Sequence, residues 1–208
     1  MKAIIFHETG DYDVLKYEDV NDPEISDGHV IIEVKATTLN SLDLKLRAGT
    51  SPRPVDLPHI GGVDIAGDVV MTGGGVNNVE VGDKVIVMPA VRSGKGLQVI
   101  GVNLYGGFAE KVIVPAENVI KVPEEISYDD ASIGITTYTT GWYALVERGN
   151  IQEGQTVLVH AAGSGTGSAA IQIAKLFNCA AARGTKSAFI PIFASRRENG
   201  VARPPPRT

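Results

Sequence analysis

The chain has 208 residues, of which 43% are hydrophobic, and its formal net charge is −5. This composition suits a soluble globular protein of one large or two small domains. The single cysteine, Cys179, excludes a disulfide framework and a zinc site built from several thiolates. No apolar run approaches the roughly twenty residues that span a bilayer, and no secretory signal opens the chain. We therefore expect a cytoplasmic protein that binds neither nucleic acid nor membrane.

Residues 1–124 have the pattern of a β-domain. Short runs rich in Val and Ile, such as KAIIF, HVIIEVKATTL and GGFAEKVIVP, alternate with turn sequences such as NDPE and VGDK. This spacing predicts a compact and mostly antiparallel barrel. The segment NSLDLKLRAG fits either a strand or a short helix, and Asp43 and Arg47 within it fit a surface ion pair.

Helical signals begin after Pro123. Ser127 precedes Asp130 by three residues, as in a helix N-terminal capping arrangement. The segment TTYTTGWYALVERG then predicts a helix that ends at Arg148, with Gly149 as a left-handed cap.

A glycine-rich turn joins a strand to a helix in VLVHAAGSGTGSAAIQIAKLF, which runs from Val157 to Phe177. The continuous apolar run before the turn predicts a strand buried on both faces of a parallel sheet. The helix has only a narrow polar stripe, so we expect most of its surface to be covered. Gly163, Gly165 and Gly167 leave backbone N–H groups open to a diphosphate at the helix N-terminus. A tight turn without a ligand is the alternative.

These segments together resemble the medium-chain dehydrogenase/reductase superfamily, in particular its zinc-free quinone oxidoreductase branch. The resemblance covers residues 1 to about 179 and includes ATTLNSLDLKLRAG, LPHIGGVDIAGDVV, TTGWYAL and AAGSGTGSAAIQIAKLF in the family's order. It implies a mixed α/β fold in which a chaperonin-10 (GroES)-like barrel, residues 1–124, precedes the beginning of a Rossmann domain, residues 125–179. It also implies a homodimer, whose usual contacts lie in a later part of the Rossmann domain.

The same resemblance implies an enzyme without zinc. Asn40, Val63 and Thr136 stand where the zinc-dependent alcohol dehydrogenases have cysteine, histidine and cysteine ligands, and none of the three supplies a thiolate or an imidazole. The family's zinc-free members transfer hydride from NADPH, or less commonly NADH, to quinones or α,β-unsaturated carbonyl compounds.

Site residues follow from the resemblance position by position. Asn40 is expected near the nicotinamide and the substrate carbonyl as a catalytic and cofactor-binding residue, and Thr140 is expected to contact the cofactor. Four consecutive residues are expected to hold the diphosphate: Ser164, Gly165, Thr166 and Gly167. The alternatives are a turn residue at Asn40 and a packed helical residue at Thr140. His160 is expected to be packed or hydrogen-bonded, and Cys179 to be inert.

Residues 180–208 depart from the family's pattern and form a basic tail with three consecutive prolines. No Asp or Glu lies between Glu153 and Glu198, so the acidic residue that usually binds the ribose of NAD is missing. Arg183, Lys186 and Arg196 are the candidates for a 2′-phosphate of NADP, although none has a recognisable strand-end context.

We interpret this tail as a shifted reading frame or a truncated gene product that leaves one strand and one helix of the Rossmann domain. A genuine basic tail is the alternative. The strand would then lack sheet partners, and residues 125–208 would exchange their amide hydrogens rapidly. Two functions remain open at this point: the NADPH-linked reductase, and a non-catalytic remnant that binds nucleotide weakly or not at all.

Overall fold

The computed structural model describes residues 1–52, 55–94, 96–183 and 192–195. They belong to two compact units, Met1–Ile135 and Thr136–Thr208. No helix in the described residues is both long and apolar enough to cross a membrane.

The described residues of the first unit form ten strands and two short α-helices. The strands are β1 (Lys2–Phe6), β2 (Leu15–Asp19), β3 (His29–Thr38), β4 (His59–Ile60), β5 (Asp64–Thr72), β6 (Lys84–Val87), β7 (Ala90–Ser93), β8 (Gly96–Val99), β9 (Lys111–Pro115) and β10 (Val119–Lys121). The helices are α1 (Ser41–Arg47) and α2 (Tyr128–Ile133). The segment that fitted either a strand or a helix is therefore helical.

Antiparallel pairing joins these strands, as the sequence predicted. Strands β10, β6, β5, β3 and β9 form one sheet in that order, strands β2, β1 and β4 form a second, and β7 pairs with β8. The main core consists of branched aliphatic side chains, among them Val30, Ile32, Ile65, Val69, Val85, Val87, Val112 and Val114. Buried residues alternate along β6 and β9, so these two strands bury one face each, whereas β3 and β5 bury consecutive residues.

The second unit contains α3 (Thr139–Trp142), β11 (Thr156–Val159), α4 (Gly165–Leu176), β12 (Ala180–Arg183) and β13 (Ile192–Ser195). A π-helical turn, Tyr143–Arg148, follows α3. Another, Gly134–Tyr138, precedes α3 and crosses the boundary between the units. Apolar residues of this unit form a core of their own: Leu145, Ile151, Val157, Val159, Ala170, Ile173, Ala174 and Cys179.

The prediction that the first Rossmann strand lacks partners is wrong. Strand β11 pairs in parallel with β12 and antiparallel with β13, so both of its edges are hydrogen-bonded. The alanines of β12 have no alternation of apolar and polar residues that would predict a strand. The segment is extended because its backbone forms hydrogen bonds with β11. The rest of the tail, residues 184–191 and 196–208, lies outside the described residues, and the expectation of rapid hydrogen exchange stays a prediction.

Two further expectations need correction. Gly149 has a right-handed backbone with φ of −84°, and the left-handed residue is Asn150, with φ of 45°. Asn tolerates that conformation better than most residues with a side chain. Helix α4 is covered less completely than expected, because Leu176 is 76% exposed. By contrast, the predicted cap of α2 is present, since Ser127 Oγ accepts a hydrogen bond from Asp130 N at 3.1 Å.

Candidate functional site

The glycine-rich turn leads directly from β11 into α4. Ser164 is the N-cap residue, and its side-chain oxygen accepts a hydrogen bond from the backbone N–H of Gly167 at 3.1 Å. The backbone N–H of Ser164 donates to the carbonyl oxygen of Ala161 at 2.8 Å. Ala161 itself has a left-handed φ of 50°. Backbone and side-chain hydrogen bonds thus both stabilise the conformation of this turn.

The three glycines have different surroundings. A Cβ at Gly167 would lie 2.4 Å from the carbonyl oxygen of Ala161, so glycine is needed for the helix to approach the turn. A Cβ at Gly165 would make an ordinary contact with Thr137 at 3.4 Å. Around Gly163 no atom of the described chain lies within 4 Å of the ideal Cβ position. Gly163 therefore borders open space, while Gly167 is a packing residue.

The first residues of α4 differ in whether their backbone N–H groups have acceptors. Ser164 caps the N–H of Gly167, and the N–H of Ser168 bonds to the carbonyl oxygen of Ser164 at 2.8 Å. Within the described residues, the N–H groups of Gly165 and Thr166 have no acceptor. Two adjacent donors at the positive end of a helix dipole suit a diphosphate, so this turn fits the group that the sequence predicted.

Thr140 lies in α3 of the same unit and is exposed. Its hydroxyl donates a hydrogen bond to the carbonyl oxygen of Thr136 at 2.6 Å, one helical turn earlier. The hydroxyl oxygen keeps acceptor capacity after this bond. The expected contact between Thr140 and the cofactor stays a prediction, as do the roles of the four residues of the turn.

Arg183 is the final residue of β12, the strand that follows α4 and pairs in parallel with β11. In a dinucleotide-binding domain, the residue near this strand end contacts the ribose that carries the 2′-hydroxyl or 2′-phosphate. Arg183 is the last described residue of β12 and pairs with Val159, so its role in cofactor choice stays a prediction. The other two candidates, Lys186 and Arg196, lie outside the described residues.

Asn40, in the first unit, precedes α1 and is its N-cap residue. Its backbone N–H donates to Asp43 Oδ2 at 2.7 Å, which fixes the entry to the helix. Its side-chain nitrogen donates to Asp64 Oδ2 at 2.9 Å. Asn40 is therefore more than the simple turn residue of the alternative interpretation, because its side chain also donates a hydrogen bond to a buried carboxylate.

Two buried carboxylates flank Asn40, and sequence reasoning did not select either as a site residue. Asp64 is 0% exposed, and Asp43 is 7% exposed. Asp43 Oδ1 accepts a hydrogen bond from Gly62 N at 3.2 Å. Burial raises the pKa of Asp43, against the opposing effect of the N–H groups of Asn40 and Gly62.

The prediction of a surface ion pair between Asp43 and Arg47 is wrong. Asp43 points into the structure, and the Arg47 guanidinium lies 3.5 Å from Asp11 Oδ1 instead. The three-residue spacing of Asn40 and Asp43 was the available signal, because an acidic residue three places after an N-cap often bonds back to it. Asp64 gave no comparable signal, since its contact with Asn40 spans 24 residues.

The remaining candidate ligands are dispersed. Among the residues that the structure describes, no three or more His, Cys, Asp or Glu side chains form a group able to hold a metal ion. Cys179 is buried, with its sulfur 3.1 Å from the carbonyl oxygen of Gln152. His160 is half-buried beside the turn.

Comparison with known proteins agrees with this fold. Residues 26–124 match the family model described as the alcohol dehydrogenase GroES-like domain. A mouse synaptic vesicle membrane protein VAT-1 homolog-like is 33% identical over 189 residues, which are 91% of this chain and 42% of that protein. The quinone oxidoreductase of Pongo abelii is 32% identical over 179 residues, 85% of this chain and 50% of that protein.

Solved structures extend the likeness to the second unit. The crystal structure of an NAD-dependent alcohol dehydrogenase has a TM-score of 0.85 and 33% identity, and the match covers 90% of this chain and 58% of that one. A thermostable alcohol dehydrogenase from Pyrobaculum aerophilum, with a TM-score of 0.80, 30% identity and coverage of 88% and 59% of the two chains, has cobalt and zinc bound. The family thus includes metal-containing members.

The fold and these matches define a GroES-like, alcohol dehydrogenase-type protein. The chain belongs to the medium-chain dehydrogenase/reductase superfamily, as its sequence motifs predicted. It spans about half the length of the curated relatives that it matches, from 42% to 50%.

Proposed function

We propose that this protein is a zinc-independent reductase that transfers hydride from NADPH to a quinone or an α,β-unsaturated carbonyl compound. The observation that carries the proposal is Asn40. An amide held by Asp64 stands where zinc-dependent members of the family have a thiolate ligand. An amide is a poor zinc ligand and a good hydrogen-bonding group for a nicotinamide or a carbonyl substrate.

The second unit would hold the cofactor. The N–H groups of Gly165 and Thr166 would bind the diphosphate, with Ser164 and Gly167 shaping the turn, and Thr140 would contact the nicotinamide half. When bound, NADPH supplies the hydride. The protein residues bind and orient the reactants, and this positioning is the main catalytic contribution expected without a metal.

NADPH is favoured over NADH by two features of the second unit. The sequence has no acidic residue between Glu153 and Glu198, and Arg183 lies in β12. An acidic residue near this strand end binds the 2′-hydroxyl of NAD, whereas an arginine accommodates the 2′-phosphate of NADP.

A second candidate function is a non-catalytic protein that binds nucleotide weakly or only folds its β-domain. The matched part of this chain covers 42% to 50% of the relatives' sequences, so the activity of the whole relatives is not carried over to it.

Fluorescence titration with NADPH and a quinone turnover assay distinguish the two candidates. Binding with turnover supports the reductase, while the absence of turnover supports the second candidate. Arg183→Ala is expected to weaken NADPH binding about tenfold and to leave NADH binding unchanged. Lys175→Ala removes an exposed cation from the same unit and is the matched control.

Zinc independence has its own test within the turnover assay. Activity that survives dialysis against a chelator supports the proposal. Activity that is lost on chelation and restored by zinc contradicts it.

A further inference from the structure

The first unit contains a small cavity beside β1, β2 and α1. Its volume is about 150 Å³, and its walls are mainly apolar. Six of the lining side chains are Ile4, Phe6, Leu15, Leu44, Leu46 and Phe108. Ile4, Leu15 and Leu44 are partly exposed, whereas Phe6 and Leu46 are buried. A small molecule can therefore enter from the surface and reach buried apolar side chains.

One polar group at this cavity has no partner. Arg47, the last residue of α1, lines the cavity, and its Nε is buried without a hydrogen-bond acceptor in the described part of the chain. Its Nη2 lies 3.5 Å from Asp11 Oδ1, so the ion pair uses a different nitrogen of the guanidinium. A buried donor without an acceptor costs free energy, because folding removes its hydration. A ligand that supplies an acceptor would recover this cost.

Asp43 lines the same cavity and does not provide the missing acceptor. Its Oδ2 accepts a hydrogen bond from the backbone N–H of Asn40 at 2.7 Å, and its Oδ1 accepts one from Gly62 N at 3.2 Å. Arg47 thus already has two acidic residues in its surroundings, Asp11 and Asp43. A carboxylate ligand would bring a third acidic group to them, whereas a neutral carbonyl oxygen accepts a hydrogen bond without this repulsion.

We propose that this cavity binds one small neutral ring compound with a carbonyl oxygen, and that Arg47 Nε donates a hydrogen bond to that oxygen. An apolar cavity of about 150 Å³ holds a molecule of the size of benzene, so cyclohexanone is a suitable probe. The apolar walls remove the ring from water, and the guanidinium fixes the orientation of the carbonyl group. The inference does not rest on the proposed function, because every lining residue belongs to the first unit and Asn40 is not among them.

NMR titration of the full chain with cyclohexanone tests the site. The methyl signals of Leu15, Leu44 and Leu46 are expected to shift and to saturate together, with a dissociation constant on the order of 1 mM, because so small a ligand has little surface to bury. The methyl signals of Leu97, which is exposed and lies outside the cavity, are expected not to follow this curve. Cavity signals that do not saturate, or that shift in parallel with those of Leu97, overturn the inference and leave water as the occupant.

Arg47→Lys separates the hydrogen bond from the charge. Lysine keeps the positive charge and places a methylene group where arginine has Nε. Methylenecyclohexane has the shape of cyclohexanone, with CH₂ in place of the oxygen. Arg47→Lys is expected to raise the dissociation constant of cyclohexanone about tenfold and that of methylenecyclohexane by less than about twofold. Equal changes for the two compounds overturn the role of Arg47. Lys45→Met, which changes an exposed residue of the same helix outside the cavity, is the control and is expected to alter neither constant.

The Nε–H signal of Arg47 in the wild type decides the question if Arg47→Lys does not fold. This signal, assigned through bonds to the Arg47 side chain, is expected to move downfield with cyclohexanone, because a hydrogen bond to oxygen deshields the proton. With methylenecyclohexane it is expected to stay near its position in the free protein. An unmoved signal, while the leucine methyl signals saturate, overturns the hydrogen bond. Failure in these titrations leaves the proposed function unaffected, because neither compound is a nucleotide and neither titration measures turnover.

Discussion

The hydroxyl oxygen of Ser164 accepts a hydrogen bond from the backbone N–H of Gly167 at 3.1 Å. Through this bond the protein satisfies one of the otherwise unpaired N–H groups at the start of α4. The N–H groups of Gly165 and Thr166, which lie between the two residues, have no acceptor among the described residues. The cap therefore holds the turn while leaving two donors for an anion.

Ser164→Ala removes this cap and is expected to lower the free energy of unfolding of the second unit by about 1 kcal/mol. Trp142 is the only tryptophan and lies in that unit, so its fluorescence during urea denaturation gives the measurement. Ser168→Ala is the control, because the Ser168 hydroxyl makes only a long bond of 3.3 Å to the carbonyl oxygen of Ala162. Equal losses in both variants would show that the cap is not the cause.

Gly167→Ala tests the close contact between the helix and the turn. The new methyl group would lie 2.4 Å from the carbonyl oxygen of Ala161 and 2.9 Å from Ala162 Cα, both backbone atoms that cannot move aside easily. We expect a loss of about 1–3 kcal/mol in the same denaturation experiment. Gly163→Ala adds the same methyl group where no described atom lies within 4 Å, and its effect should stay within about 0.5 kcal/mol. A tolerated Gly167→Ala would contradict the packing described here.

The strand, turn and helix around these glycines could be predicted because they depend on local sequence. An apolar run, three glycines and a serine cap all act within a few residues of one another. The sheet partners of β11 could not be predicted in the same way. The segment AAAR has no apolar periodicity, and its strand conformation depends on pairing with Thr156–Val159.

Asn40 likewise has features that the local sequence predicts and a contact that it does not predict. Its residue type and its spacing from Asp43 indicate a helix N-terminus, and the resemblance to a family suggests a role near the cofactor. The contact with Asp64 joins residues 24 positions apart, and nothing in the local sequence predicts it.

His59 gives the first unit a pH-dependent stability. The side chain is 2% exposed, and its Nε2 donates to the carbonyl oxygen of Gly101 at 3.2 Å. Burial lowers the pKa of His59 below its ordinary value of 6.5, so the folded unit holds it neutral. The unfolded chain takes up the proton first as pH falls below about 6.5, and stability decreases from there through the lower folded pKa.

Urea denaturation followed by far-ultraviolet circular dichroism at pH 8, 6.5 and 5.5 measures this effect. The free energy of unfolding is expected to be lower at pH 5.5 than at pH 8, and His59→Gln is expected to remove part of the difference. His7→Gln changes an exposed histidine that lies 3.0 Å from Glu18 and is the control. Identical pH profiles for wild type and His59→Gln would refute the assignment.

Helix α4 distinguishes two apolar residues that the sequence pattern treats alike. Ile173 is 2% exposed and belongs to the core with Val157 and Val159, whereas Leu176 is 76% exposed. Ile173→Ala is expected to lower the free energy of unfolding of the second unit by about 2–5 kcal/mol, because it removes buried methyl groups and leaves a cavity. Leu176→Ala should change it by less than about 0.5 kcal/mol. Trp142 fluorescence reports both variants, and a comparable loss for Leu176→Ala would mean that the helix is covered on that side as well, as its sequence alone suggested.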